Sequence, residues 1–407
     1  MPWRKKVLSR IKPNKKEEGE LKTVAKKIID SIKLKNVKCM MGGSSAKGTW
    51  LRGNHDVDIY VKFDPKIYSG MNISDILRHK VKKGELVHGS RDYIQFKYKS
   101  YDVELIPIMD IKKVDDAQNI TDISPFHKKW VRKNKQFVND IRLAKSFAKA
   151  NGFYGAESYI KGFSGYSLEV LTIYYRGFDN LMKEVSKWKA KTVLDPENYH
   201  KGKVNLNQSK MVSPLVVVDP VQDTRNVTAV VSREMYELFR DCAKRFLKAK
   251  NKDEFFVKDK FSIEGLELRK KGKLICLDIV PLEGKRDVVG AKLLKSFDFI
   301  KRKIEENDFK LHDSGWHWED NAVLWFMVEK AKLSNEVKHY GPSIKSKERL
   351  KQFKTKWKGK KILNEDGVSY VMREREYRDV ELLLNALVSE GYVVSRVSEV
   401  KGSRIFK

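Results

Sequence analysis

Along the chain the apolar positions change period several times, and each change predicts an element. In EEGELKTVAKKIIDSIKL, residues 17–34, Leu21, Val24, Ala25, Ile28 and Ile32 recur at helical spacing, so one helix face packs on the next elements of the chain. NVKCMM (36–41) reads as a strand running straight into Gly42-Gly43-Ser44, and the alternation in DVDIYVKF (56–63) and QFKYKSYDVELIPI (95–108) predicts further strands. Pro107 marks a strand end or edge, because it lacks the N–H that a ladder needs. From SPFHKKW the period becomes helical, with Trp130, Val138, Ile141, Ala144 and Phe147 on one buried face up to a stop at Gly152. This change of period sets a domain boundary near residue 126. A single helix is predicted over 167–188, after the glycine-broken KGFSGY. The polar stretch 195–210 then leads to the strand PLVVV (214–218), ended by Asp219-Pro220. Beyond SREMYELFRDCAKRFLKA, short strands such as LICLDIVPL (274–282) alternate with basic helices, and no internal repeat or low-complexity tract is visible. The fold class is α+β and multidomain.

Length and composition narrow the classes of function. A chain of 407 residues is long enough for two to four domains. Its 84 Lys+Arg against 54 Asp+Glu give a net charge of +30, an excess that attracts polyanions and makes nucleic acid the leading partner. Cys39, Cys242 and Cys276 are far apart, and no His stands at zinc-ligand spacing, which argues against a disulfide framework or a zinc site. A reducing compartment fits best. MPWRKKVLSRIKPNKKEEGELK carries charges without an apolar core, and no run approaches the length of a membrane span. The expected location is the cytoplasm, with no membrane partner.

The richest chemistry lies in GGSSAKGTWLRGNHDVDIYVKF, residues 42–63. Residues i and i+2 of a strand face the same side, so Asp56 and Asp58 project together while Val57, Ile59 and Val61 point into the core. Two neighbouring carboxylates repel, a divalent cation relieves that repulsion, and hard oxygen ligands favour Mg²⁺, which also bridges nucleotide phosphates. That donor set suggests metal-assisted phosphoryl transfer. Gly42-Gly43-Ser44-Ser45 would let backbone N–H groups approach a triphosphate, with Lys47 adding positive potential. Taken singly, a DxD on a solvent-facing strand and a GG turn are commonplace structural features. Their order is not: Gly43-Ser44, then Gly48-Thr49, then Asp56-x-Asp58 on an apolar strand resembles the signature of the nucleotidyltransferase superfamily.

With SPFHKKWV, GFYGAESYIKGFSGYSLEVL, VVDPVQDTRNV and HYGPSI, the chain resembles the archaeal (class I) CCA-adding enzymes from about residue 15 to 345. The resemblance implies a polymerase-beta-like catalytic head (1–126), a helical neck and central nucleotide- and tRNA-binding domain (127–250), and an α/β body and tail that bind tRNA (251–407). It implies stepwise transfer of CMP, CMP and AMP from CTP and ATP to the tRNA 3′ end, with Mg²⁺ as cofactor. Catalysis and metal binding are then expected at Asp56, Asp58 and Glu104, and nucleotide binding at Gly43, Ser44, Lys47, His127, Lys145, Tyr154 and Arg225. Lys47 stands where the family usually has Arg; it keeps a cation and loses the bidentate fork. Glu104 stands where Asp is common, three residues before Pro107, and Asp102 shares its strand face as a rival third carboxylate.

Each of these residues also has a plainer reading. His127 could be a surface helix-start residue, Lys145 a solvated lysine and Tyr154 a packing aromatic. Arg225, expected to read the Watson–Crick edge of the incoming base, could instead pair with Asp223. Trp316, Trp318 and Trp325 are read as core rather than RNA-stacking groups, and His312 and His317 as no metal site. The rival functions are a poly(A) or other terminal ribonucleotidyltransferase and an inactive tRNA-binding relative. The sequence is silent on oligomeric state, and a homodimer is compatible with it. If the charge excess carries RNA binding, a titration of tRNA affinity against KCl gives a log–log slope of several units, each neutralised phosphate adding about 0.7–0.9; a slope near zero removes the electrostatic reading.

Overall fold

The computed structural model describes residues 2–258, 260–269 and 271–406. Its contacts divide the chain into two compact units, residues 1–259 and 260–407.

The first unit opens with helix α1 (Pro2–Ile11) and the amphipathic α2 (Lys15–Ser31), whose start is fixed by a reciprocal cap: Asn14 Oδ1 accepts from Glu17 N (2.8 Å) and Glu17 Oε2 from Asn14 N (2.6 Å). Then come β1 (Val37–Met41), the short α3 (Gly43–Lys47), β2 (Asp56–Phe63), the single turn α4 (Pro65–Tyr68), α5 (Ile73–Lys80), β3 (Glu85–Val87), β4 (Tyr93–Tyr98) and β5 (Tyr101–Met109). They form one mixed sheet in the order β1-β2-β5-β4-β3, with β2 and β5 parallel and the other pairings antiparallel. Val57, Ile59, Val61, Phe63, Val103 and Leu105 fill one face and pack on Leu21, Val24, Ala25 and Ile28 of α2 and on Ile73 and Leu77 of α5. The alternate residues, Asp56, Asp58, Asp102 and Glu104, are left on the other face.

Pro107 does not end its strand. It lies inside β5, paired with Val61 of β2, but β4 has stopped pairing by Leu105, so at residue 107 one side of β5 has become an edge and no donor is lost.

The helical part of the unit holds α6 (Ser124–Lys133), α7 (Val138–Ala150), α8 (Gly165–Tyr174), α9 (Phe178–Val185) and α10 (Arg233–Lys248), with a small sheet in the order β6 (Thr192–Leu194), β7 (Leu215–Asp219), β8 (Gln222–Asn226). The single helix expected over 167–188 is two. Arg176 (φ 57°) and Gly177 (φ 116°) turn the chain, and Asp140 Oδ1 accepts from Phe178 N at 2.9 Å to start α9. The continuous face expected from Trp130 to Phe147 is likewise broken between α6 and α7, where residues 135–137 form one turn of 3₁₀ helix. The basic N-terminal segment is built into this core. Val7 is fully buried, Trp3 packs on Phe178, Phe246 and Phe256, and Arg4 bonds both Asp140 and Asp179 at 2.5 Å.

The second unit comprises α11 (Ile263–Arg269), β9 (Lys273–Val280), α12 (Arg286–Glu306), β10 (Leu311–Trp318), β11 (Ala322–Val328), β12 (Glu336–Ser343), α13 (Lys347–Lys356), β13 (Ile362–Glu365), β14 (Val368–Glu374), α14 (Val380–Val388), α15 (Gly391–Val394) and β15 (Glu399–Phe406). Its sheets run β10-β11-β9-β15 and β12-β14-β13. Trp316 and Trp318 pack against the α12/α14 core and Trp325 against Leu274 and Cys276, so all three serve the interior as expected. Among the described residues no helix is long and apolar enough to cross a membrane, and all three cysteines are free.

Candidate functional site

The site grows from the turn between β1 and β2. Gly42 N donates to Asp58 O (2.8 Å), which docks the turn on β2 before α3 begins. Gly43 adopts φ 54°, and a Cβ there would stand 1.5 Å from Asp58 Oδ2; one on Gly42 would stand 2.6 Å from the Tyr60 ring. The two glycines are therefore required by contact with the carboxylate strand itself, besides any ligand. Gly48 (φ 77°) ends α3, and the Ser45 hydroxyl donates to Gly42 O at 3.1 Å.

Parallel pairing of β2 with β5 sets Asp56 beside Asp102 and Asp58 beside Glu104, while β4 sets Gln95 opposite Glu104, with Gln95 Nε2 donating to Glu104 Oε1 at 3.3 Å. Burial pushes the Asp58 carboxyl up to about 6, the negative charge of Asp56 pushes in the same direction, and Lys47 and Lys145 oppose both. Among the described residues no group of three or more His, Cys, Asp or Glu side chains is gathered at metal-holding distance.

Behind α3 lies a buried ion cluster. Glu169 of α8, only 1% exposed, accepts from Lys47 Nζ at Oε2 (2.8 Å) and from Lys145 Nζ (2.7 Å) and Thr49 Oγ1 (2.6 Å) at Oε1. Burial opposes ionisation of Glu169, but the two ammonium groups overcome it and hold the carboxyl down to about 2. One carboxylate shared between two lysines cannot compensate both. Burial lowers Lys47, but Glu169 more than restores it; burial together with the charge of Lys47 leaves Lys145 below the usual lysine range despite Glu169. Tyr154 borders the same space. Burial raises its hydroxyl far above its ordinary value, with Glu169, Glu157, Asp56 and Asp58 adding to the rise, and Lys149 stands 4.9 Å from its ring.

A second cluster gathers on Asp219, the buried last residue of β7. Its Oδ2 accepts from Arg225 Nη1 (2.6 Å) and His127 Nε2 (3.0 Å), and its Oδ1 from Tyr166 Oη and Val221 N (both 3.0 Å). Arg225 thus pairs with Asp219 and not with Asp223. Burial lowers the His127 pKa, with the charges of Arg225 and Lys47 adding to the fall and Asp219 opposing it. Tyr166 joins the two clusters: its ring lies 4.1 Å from that of His127, and Lys47 Nζ lies 5.0 Å from its centroid.

The structure therefore brings Gly43, Lys47, Lys145 and Tyr154 around Asp56 and Asp58, with Glu104 beside Asp58 in the register and His127 and Arg225 together on Asp219. None of the plain readings of His127 and Lys145 describes their surroundings, since both are buried. Sequence reasoning missed Thr49, Tyr166, Glu169 and Asp219. Glu169 had a readable signal, a lone charge in the apolar run SLEVL, which must be paired if the run is buried. Asp219 was hidden by the turn chemistry of Asp-Pro. A cleft of about 350 Å³ also borders α3, lined by Leu21, Lys22, Lys47, Trp50, Lys128 and Arg132, but none of the sheet carboxylates faces it.

Three family models match consecutive parts of the chain: a nucleotidyltransferase domain over residues 22–138, the second domain of tRNA nucleotidyltransferase over 139–257 and the C-terminal domain of CCA-adding enzyme over 283–400. Curated relatives named CCA-adding enzyme include one from Nanoarchaeum equitans, 36% identical over 312 residues (74% of this chain and 76% of the relative), and one from Methanosarcina mazei, 30% identical over 374 residues (87% and 81%). A third, from Saccharolobus islandicus, is 29% identical over 392 residues (93% and 90%). Among solved structures, a cytoplasmic RNA terminal U-transferase aligns with a TM-score of 0.51 at 13% identity, covering 64% of this chain and 98% of that one. The Cid1 poly(U) polymerase aligns with a TM-score of 0.51 at 14% identity, covering 63% and 98%. These two likenesses concern the fold.

The carboxylate pair makes a direct prediction. In metal-free protein, carbon-13 NMR places the Asp58 carboxyl titration near 6, and Asp56→Asn moves it down by removing the neighbouring charge. A carboxyl whose folded pKa is raised binds a proton that the unfolded chain has lost, so its contribution makes metal-free protein less stable as pH rises from about 4 through 6. An Asp58 titration unchanged in Asp56→Asn leaves burial as the sole cause and refutes the coupling.

Proposed function

Because the chain belongs to the CCA-adding enzyme family, we propose that it completes the 3′ end of tRNA, adding C, C and A stepwise from CTP and ATP without a nucleic-acid template and releasing pyrophosphate. The observation that best supports this reading is the convergence of the Gly43 turn, the Asp56/Asp58 strand and the Lys47–Glu169–Lys145 cluster within one compact unit.

The family implies a divalent metal, and the donors present suit one. Asp56 and Asp58 are hard oxygen ligands whose mutual repulsion is already expressed in the raised Asp58 carboxyl, and Glu104 is the next carboxylate along the register. These three residues would hold it, and Mg²⁺ is the ion this set favours. When bound, the metal supplies charge neutralisation to the triphosphate and to the attacking oxygen.

The chain's own residues do the rest. Ser44, Lys47, Lys145, His127 and Tyr154 take the triphosphate; the surplus positive charge left by one carboxylate between two lysines gives that site its affinity for an anion. Arg225 presents donors to the base edge. The 3′-hydroxyl oxygen of the tRNA acceptor arm attacks the α-phosphorus, its proton passes to the Glu104 carboxylate, the bond between the α-phosphorus and the bridging oxygen breaks, and pyrophosphate leaves.

Purified protein given tRNA ending at the discriminator base incorporates CTP first and ATP only after two C residues. ATP or UTP added first, in runs, indicates a poly(A) or other terminal ribonucleotidyltransferase, and no Mg²⁺-dependent incorporation indicates a binding protein. In single-turnover measurements Glu104→Gln retains CTP binding but slows the chemical step by at least about 100-fold, and Asp102→Asn costs far less. A larger loss at Asp102, or equal modest losses, transfers the role away from Glu104.

A further inference from the structure

We propose that Asp219 is a positioning residue for base selection, holding the Arg225 guanidinium by one nitrogen so that its other donors meet the incoming base in a fixed orientation. This rests on the reading of Arg225 as the base-reading group. Asp219 is completely buried, whereas the Arg225 side chain is 31% exposed, so the anchor is sealed and the reader reaches the solvent side. Only Nη1 of Arg225 is engaged, by Asp219 Oδ2 at 2.6 Å and, more distantly, by His127 Nε2 at 3.4 Å; Nε and Nη2 have no partner among the described residues. Both Asp219 oxygens are themselves pinned, Oδ1 by Tyr166 Oη and Val221 N and Oδ2 also by His127 Nε2, which fixes the carboxylate and with it the place of the Arg225 nitrogen it holds.

Orientation matters because the bases differ at one ring position. Cytosine N3 and adenine N1 are acceptors, whereas uracil N3 and guanine N1 carry a hydrogen. A donor locked in place accepts the first pair and meets a donor in the second, leaving a desolvated group unpaired. A guanidinium free to rotate could turn away from the clash and lose that discrimination. Tyr166 strengthens the assignment: it bonds Asp219, lies tilted against the His127 ring and carries Lys47 over its face, so the base-reading and triphosphate groups share one support.

The test compares kcat/KM for CTP and UTP on the same tRNA in wild type, Asp219→Asn, Tyr166→Phe, Arg225→Ala and the Arg225→Ala/Asp219→Asn double variant. Inhibition by inorganic pyrophosphate serves as an independent readout of the triphosphate end. The expected result is a fall of at least about tenfold in CTP preference for Asp219→Asn, a smaller fall for Tyr166→Phe, a change in pyrophosphate inhibition smaller than the change in CTP preference, and a double variant no less selective than Arg225→Ala. If Arg225→Ala loses selectivity while Asp219→Asn and Tyr166→Phe keep it, the positioning role is overturned and the base-reading role stands. If Arg225→Ala itself keeps full selectivity, the base-reading role fails and takes the positioning role with it. Should Asp219→Asn not fold, Tyr166→Phe decides alone, because it removes one bond to Asp219 while keeping the ring, and an unchanged preference refutes the proposal.

Discussion

A carboxylate with 1% of its surface in water, Glu169, joins the α3 turn to the helical core, accepting Lys47 and Thr49 from one side and Lys145 from the other. Without it, two ammonium groups would be buried near each other with no counter-charge, a state that costs several kcal/mol. With it, the turn that carries Gly43 and Ser44 is held against α7 and α8. Gly43 in turn presses on Asp58, so the positions of β2, the turn and the helical core all follow from one ion cluster.

The same economy of charge prepares the site for its ligands. Lys47 and Lys145 share one negative partner and retain a net positive charge, and their charges, together with that of Asp56, bear on the Asp58 carboxyl. On the proposed function, a nucleoside triphosphate with its metal would carry both signs in the complementary arrangement, phosphate oxygens for the lysines and cation for the carboxylates. Asp219 repeats the device, neutralising Arg225 while leaving most of its donors free.

Legibility in the sequence followed the range of the interactions concerned. The strands β1 and β2, the α2 face and the shared face of Asp56 and Asp58 depend on periodicity and could be read directly. Helix breaks depended on contacts far away: α8 and α9 separate at Arg176-Gly177 because Asp140, 37 residues upstream of Gly177, supplies the acceptor that starts α9. Pro107 left a strand end and an edge both open, and the edge holds because of where β4 stops. Glu169 and Asp219 escaped notice because their partners lie on other elements, Lys47 and Thr49 more than a hundred residues from Glu169, and His127 on α6 and Tyr166 on α8 for Asp219. The family resemblance supplied Lys145, His127 and Arg225 as nucleotide groups, but not the carboxylates that hold them.

Unfolding of Glu169→Gln by urea at pH 7, compared with wild type, measures the central claim most directly. Glu169 is held down to about 2 in the folded protein, against about 4.3 in an unfolded chain, so its contribution is fully present above the unfolded value and is lost as pH falls through the folded one. The variant is expected to lose about 3–5 kcal/mol, with the difference from wild type narrowing as the pH is taken below about 4. A loss under about 1 kcal/mol, unchanged between pH 7 and acid, would show that the Glu169 cluster does not hold the site together.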